Sequence, residues 1–197
     1  MSFSGQQTRE FFGPLVGRTT TFLLEGREAN LAFARTTMGL LGEDPCAILD
    51  LDAFYSSNSD AILSAASKSA TSSIVRVPEP GAAIEEEFSR ILEAQQKVIL
   101  VDSLNSLYHL LSQEDGSARS RKLNFAVASL SYFARTNQKT VILAMYRREG
   151  FTRSGTGRSI SGLSDATAAV DLDDGRLNFR VERGALWPGG RFSSRIP

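Results

Sequence analysis

The sequence predicts an α/β protein: a mostly parallel sheet covered by helices on both faces, with an antiparallel hairpin added at its end. Three observations predict it. Short apolar runs at 46–49, 98–101 and 141–144 have the composition of strands buried on both faces. Segments with apolar residues at helical spacing alternate with these runs, the order that builds a parallel sheet. The last forty residues switch to two strand-like runs around an Asp-Gly pair, which favours a tight hairpin turn.

Taken in order, residues 19–24 (Thr-Thr-Thr-Phe-Leu-Leu) are β-branched and apolar and read as the first strand, stopped by Glu25-Gly26. From 29 to 41, Leu31, Ala34, Met38 and Leu41 fall on one helical face, and Gly42 and Pro45 end that helix. A second strand at 46–49 is followed by a helix around 59–67 and a strand at 73–77. Residues 81–93 form a helix with Ile84, Phe88, Ile91 and Leu92 on one side. Its early acids, Glu85, Glu86 and Glu87, complement the helix dipole. The strongest strand signal is 97–102, leading into an apolar helix through Leu111. A polar stretch at 112–120 precedes a long helix of about 121–137 carrying Leu123, Val127, Leu130 and Phe133. Residues 140–144 are another buried strand, and 147–161, rich in Gly, Ser and Arg, read as a long loop. Strands at 169–172 and 177–181 flank Asp173-Asp174-Gly175, and Pro188-Gly189-Gly190 marks a turn before 191–196. No linker or repeat divides 1–197, so one domain is expected.

At 197 residues, with 42% hydrophobic and 22% charged residues, the chain has the balance of a globular protein. That excludes a disordered tail, a collagen-like fibre and a disulfide-stapled miniprotein. The single Cys46 makes no internal disulfide, and with one histidine no Cys/His zinc cage is available. A reducing, cytoplasmic home is expected, and neither a signal-peptide pattern nor a membrane-length apolar run is present. Net charge is zero but unevenly spread: residues 1–115 balance to −8 and residues 116–197 to +8. Either one face suits an anionic partner, or the two halves interleave and their fields cancel.

In an open α/β sheet ligands lie beyond the carboxyl ends of the strands, which draws attention to Gly26, Asp52 and Asp102. A phosphate-binding loop belongs after the first strand and needs G-x-x-x-x-G-K-[ST]. Here the segment reads Gly26-Arg27-Glu28-Ala29-Asn30-Leu31, without the second glycine, the lysine or the hydroxyl, and Glu28 repels phosphate. Arg27 supplies charge but no cradle of amides, so the site reads as lost or never present. Asp102 ends an apolar strand and is followed by Ser103, the pattern in which a carboxylate helps to hold magnesium. The alternative is an Asp that caps the following helix. Asp50 and Asp52, at alternate positions just past the second strand, share a face, and Asp52 is otherwise a turn residue.

The order of 19–26, Ile48-Leu49-Asp50-Leu51-Asp52-Ala53-Phe54, 98–107 and 121–144 resembles the catalytic core of the RecA/RadA recombinase superfamily, over about residues 15–185. Asp50 and Asp52 match that family's Asp-x-Glu segment, with Asp in place of the catalytic Glu, and Val101-Asp102-Ser103-Leu104 matches its magnesium-binding strand. The resemblance is to core-only archaeal paralogs that lack the N-terminal DNA-binding domain. It implies a RecA-like fold with DNA-contacting loops before and after the strand at 140. The matching segments are 112–122, with Arg119, Arg121 and Lys122, and 146–161, with Arg147, Arg148, Arg153 and Arg158. Cations of this kind neutralise phosphates and release counterions, while Tyr146 and Phe151 offer faces on which a base stacks. The same residues also suit a solvated surface loop. Arg176 and Arg180 share a strand face with Arg183 close by, either for an anion or as a guarded edge.

His109 reads as a packed or surface histidine and Cys46 as a small hydrophobe. Phe3, Phe11 and Phe12 either dock on a partner subunit or cover the chain's own sheet edge, and Trp187 reads as a packed aromatic in a turn. The expectation is a non-catalytic recombinase paralog, cytoplasmic and nucleoid-associated, with no cofactor, no metal site and no catalytic residue. It serves DNA repair by binding DNA, single-stranded by preference, or by contacting the active recombinase or itself. Two rivals stand beside it. One is a divergent ATPase using Arg27, Asp52 and Asp102. The other is a protein-interaction module that exposes an apolar patch around Phe11, Phe12 and Trp187.

Overall fold

A computed structural model describes residues 5–41, 46–63, 74–76, 84–93, 95–111, 115–147, 160 and 162–196. In chain order they form α1 (Gly5–Phe12), β1 (Thr19–Leu24), α2 (Gly26–Leu41), β2 (Cys46–Asp50), α3 (Phe54–Ser57) and α4 (Ser59–Leu63). There follow β3 (Ile74–Arg76), α5 (Ile84–Glu93), β4 (Val98–Asp102), α6 (Leu104–Leu110), α7 (Gly116–Asn137), β5 (Thr140–Tyr146), β6 (Ala166–Asp173), β7 (Arg176–Arg183) and β8 (Arg191–Arg195). The strands make one eight-stranded sheet in the order β3-β2-β4-β5-β1-β6-β7-β8. The pairs from β3 to β6 are parallel; β6–β7 and β7–β8 are antiparallel. This is the expected α/β sheet with its hairpin extension.

Strand alternation divides the core in two. Phe22, Leu24, Ile48, Leu100, Ile142 and Ala144 face α2 and the short helices after β2, packing on Phe33, Met38 and Ile62. Leu23, Leu49, Ile99, Val101, Leu143 and Met145 face the other layer, where Ile91 of α5, Leu104 and Leu107 of α6 and Leu123, Val127 and Leu130 of α7 meet them. Each central strand is therefore apolar on both sides, the pattern that made it legible.

The aromatic residues near both ends of the described chain lie inside. Phe11 is fully buried, with its ring centroid 5.6 Å from Trp187, 5.2 Å from Phe179, 5.2 Å from Phe192 and 6.2 Å from Phe22. The Trp187 indole donates to the Phe11 carbonyl at 3.3 Å. An exposed patch around Phe11, Phe12 and Trp187 is thus overturned: these residues cover this chain's own sheet, because rings of that size remove more apolar area from water than any other side chain there. The large apolar residues exposed among those described are Phe125 (75%), Tyr132 (73%), Leu110 and Val16.

Several boundaries differ from the sequence reading. Helix α2 begins at Gly26 rather than 29, and α7 at Gly116 rather than 121. Asp115 is the reason for the second difference: its carboxylate accepts from the backbone N–H groups of Ser117 (2.9 Å) and Ala118 (2.8 Å), a cap that draws a polar stretch into the helix. These bonds, led by the Ser117 hydroxyl, hold its carboxyl below the usual range. Helix α4 covers the front of the helix expected around 59–67, whose remainder lies outside the described residues, while α3 at Phe54–Ser57 is an additional turn of helix that the sequence reading did not include.

Candidate functional site

The carboxyl ends of β1, β2, β4 and β5 meet around a cleft of about 440 Å³, lined by Gly26, Arg27, Asn30, Asp52, Asn105, Ser106, His109, Tyr146 and Arg147 among others. Its floor begins at the β1–α2 junction. Glu25 alone separates strand from helix, and its backbone N–H is taken by the Val170 carbonyl at 3.1 Å. Turning from strand to helix within one residue places Gly26 at φ +88°, a conformation glycine adopts without strain. Arg27 and Glu28 lie exposed on the first turn of α2.

Asp102 ends β4 beside Asp50, its register partner on β2, and is fully buried. Neither carboxylate oxygen has a hydrogen-bond partner among the described residues. Burial first, and then the charges of Asp52 and Asp50, push its pKa up to about 8. The side chain is therefore mostly a neutral acid at pH 7. Asp102 does not cap α6; Ser103 does, its Oγ accepting from the Ser106 N–H at 3.3 Å. Asp50 is the last residue of β2 rather than a position beyond it. Its carboxylate accepts from the N–H groups of Tyr55 (3.1 Å) and Ser56 (2.8 Å), which anchors α3.

Asp52 is exposed in the turn after β2, where its two oxygens accept from the hydroxyls of Ser103 (2.9 Å) and Ser106. The opposite wall is held by amide side chains that carry no periodic signal. Asn105 accepts from the Tyr146 N–H at 2.7 Å and donates back to the Tyr146 carbonyl at 3.3 Å, continuing the β5 edge with a side chain. Asn30 of α2 donates to the Tyr146 hydroxyl. Tyr146 is thus fixed at three atoms and half-buried. His109 is an exposed residue at the cleft mouth, in line with the surface reading. Cys46 is buried at the start of β2, where desolvation pushes its thiol up to about 12.

The structure separates the cations that the sequence grouped. Arg147 sits at the end of β5, paired with Glu25 and 3.5 Å from Glu182 of β7, and it shares the cleft with Arg27. Arg119, Arg121 and Lys122 do not lie on a loop; they occupy the first two turns of α7. Arg119 lies over the Tyr108 ring of α6, 4.8 Å from its centroid. Arg121 and Lys122 instead border an apolar groove of about 510 Å³ between α5, α6 and α7, with Phe88, Leu92, Leu107 and Phe125. Arg148, Arg153, Arg158 and Phe151 lie outside the described residues. Among the described residues no group of three or more His, Cys, Asp or Glu is placed to hold a metal ion. None of the described helices is long and apolar enough to cross a membrane.

A parallel sheet with strand order 3-2-4-5-1 between two helical layers, closed by an antiparallel extension, is the architecture of a RecA-like core. The comparison with solved structures agrees. The chain is similar to the crystal structure of the RadB recombinase, with a TM-score of 0.61 and 16% identity over 93% of this chain and 89% of that one. No family model and no curated protein matches the chain by sequence. At that identity the likeness establishes the fold.

Proposed function

We propose that this protein is a non-catalytic RecA-fold accessory factor of recombination or DNA repair, working by binding DNA rather than by hydrolysing nucleotide. One observation carries the first half of that reading: β1 passes into α2 through the single residue Glu25. A phosphate cradle needs a run of unengaged amides followed by a lysine and a hydroxyl. This junction has one residue before the helix and neither the lysine nor the hydroxyl, and Glu28 lies exposed on the first turn of α2. Asp102 is fully buried at the end of β4, and Asp52 accepts from the hydroxyls of Ser103 and Ser106. The residues present do not fit a magnesium–triphosphate.

The DNA half rests on charge. Helix α7 carries four cations, Arg119, Arg121, Lys122 and Arg135, and no acid in 22 residues. Arg147 follows β5, and Arg148, Arg153 and Arg158 come after it in the chain. The similar solved structure is described as a recombinase, which agrees with this role. Two measurements test it. Calorimetry with Mg-ATP is expected to show no heat of binding; micromolar binding abolished by Asp102→Ala would favour the ATPase reading. Anisotropy of a labelled single strand is expected to show salt-sensitive binding, weakened in an Arg119→Ala/Arg121→Ala/Arg147→Ala variant. Absence of binding at low salt removes the DNA claim.

A second reading, a protein-binding module, is favoured by the groove between α5 and α7. Its apolar floor and the cations Arg121 and Lys122 at its border suit an amphipathic helix with acidic flanks. Phe125→Glu is expected to abolish capture of such a peptide while leaving DNA affinity unchanged; an unaffected peptide affinity counts against this reading.

A further inference from the structure

The antiparallel extension carries charge that neither the cleft nor α7 accounts for. On β7 and β8, Leu177 and Phe179 turn inward to the core, so their neighbours occupy the opposite face, beyond the helical layer. There the register sets Arg176 opposite Arg195 and Arg180 opposite Arg191, with Asn178 and Ser193 paired between them. All four arginines are exposed. Like charges placed directly opposite destabilise a strand pair, so two such pairs work against the sheet unless an anion lies over them. Guarding the edge explains Arg191 and Arg195, since β8 is an edge strand. It does not explain Arg176 and Arg180, which lie on the interior strand β7.

Nearby acids leave the face cationic. Asp173 is the β6 register partner of Arg176 but forms no ion pair with it, Asp171 accepts from the Asn178 amide at 3.2 Å, and Glu182 lies 3.5 Å from Arg180. Among the described residues Arg176, Arg191 and Arg195 have no carboxylate partner, although Asp174 borders the notch at the Arg176/Arg195 end. Glu182 also joins Arg180 to Arg147, so this face is continuous with the cation at the end of β5.

We propose that the β7–β8 face is a second phosphate-binding surface, over which a nucleic-acid strand runs from Arg147 toward the two arginine pairs. The pairs are four residues apart, about 14 Å at the antiparallel rise, and each presents two planar forks suited to phosphate oxygens. Asn178 and Ser193 place uncharged hydrogen-bonding groups between them. A strand of regularly spaced phosphates matches this arrangement better than an acidic peptide, whose carboxylates have no fixed period. The inference rests on the DNA-binding reading and adds a surface to it.

The test uses the full chain and a labelled oligothymidylate. Arg191→Ala/Arg195→Ala removes one member of each pair from the exposed edge, and a melting temperature no lower than that of the unaltered chain verifies folding. The slope of log K against log salt is expected to fall by about 1.4, equivalent to roughly 25-fold weaker binding at 0.1 M when the lines meet at 1 M. In parallel, Ser193→Cys labelled with a photo-crosslinker is expected to capture the oligonucleotide; native Cys46 is buried and stays unlabelled. Normal binding with an unchanged slope and no crosslink overturns this surface and leaves the DNA reading standing. No binding by the unaltered chain at low salt removes both. Polyglutamate of matched charge competing as well as the oligonucleotide overturns the assignment to nucleic acid.

Discussion

Replacing Asp102 by Asn tests whether the carboxyl at the end of β4 is held neutral. In the folded chain its pKa lies near 8, against 3.8 for an ordinary Asp. Between those values the folded state keeps a proton that the unfolded state has lost. Stability therefore falls as pH rises through that window, by about 1.4 kcal/mol per pH unit. The penalty is absent below pH 3.8, reaches about 4 kcal/mol at pH 7 and saturates above pH 8. Asn has the same shape and no titration, so Asp102→Asn escapes the penalty. Its packing cost, including the new amide donors, is the same at every pH. Urea unfolding of both proteins at several pH values from 4.5 to 8.5 reads the difference. The variant is expected to gain on the parent steadily with pH, by several kcal/mol across the range. A gap that stays constant refutes the reasoning, since Asp102 would then be charged in the fold and compensated by a donor or a cation.

Three further outcomes follow from the packing. Phe11→Ala empties the centre of the aromatic cluster and is expected to cost about 3–5 kcal/mol in chemical denaturation; the fluorescence of Trp187, the chain's one tryptophan, should shift to the red as its neighbour is lost. Asn105→Ala leaves the Tyr146 N–H and carbonyl without their shared partner and is expected to cost about 1–3 kcal/mol, with faster amide exchange at Tyr146 as the local readout. Gly184→Ala puts a side chain at φ +83° with its Cβ 2.6 Å from the Asp165 carbonyl oxygen. The backbone conformation alone costs about 1–3 kcal/mol, and that contact is with main chain, so the melting temperature should fall by more than the backbone term requires.

The sheet was legible because its signals are local. Val98–Asp102 and Thr140–Tyr146 are apolar runs whose burial on both faces follows from composition. The hairpin was legible for the same reason, with Asp174 and Gly175 both at positive φ in its turn. The start of α7 was missed because its signal is a single side chain, Asp115, within a stretch that is otherwise polar. The cleft was legible only in part. Asp52 and Asp102 were found at strand ends, but their neighbours Asn30, Asn105 and Tyr146 meet across 41 and 116 positions of sequence, where no spacing rule reaches. The placing of Arg119, Arg121 and Lys122 on a loop follows from the missed start of α7, and at spacings of two residues and one on a helix these cations do not all share a face: Arg119 lies over Tyr108, while Arg121 and Lys122 border the groove with Phe125. The aromatic residues near both ends carried two readings, and the choice fell to burial of area.

The ring stack around Phe11 also has a bearing on synthesis. The residues that shelter it, Phe179, Trp187 and Phe192, leave the ribosome more than 160 residues after it does. Throughout translation α1 must wait with its most apolar face in water or in the keeping of a chaperone. The parallel strands between can pair in the meantime, but the β1 edge that β6 will occupy stays open until residues 166–173 have emerged. A ribosome stalled before β7 is made would hold a nascent chain that is sheet-like yet sticky around α1.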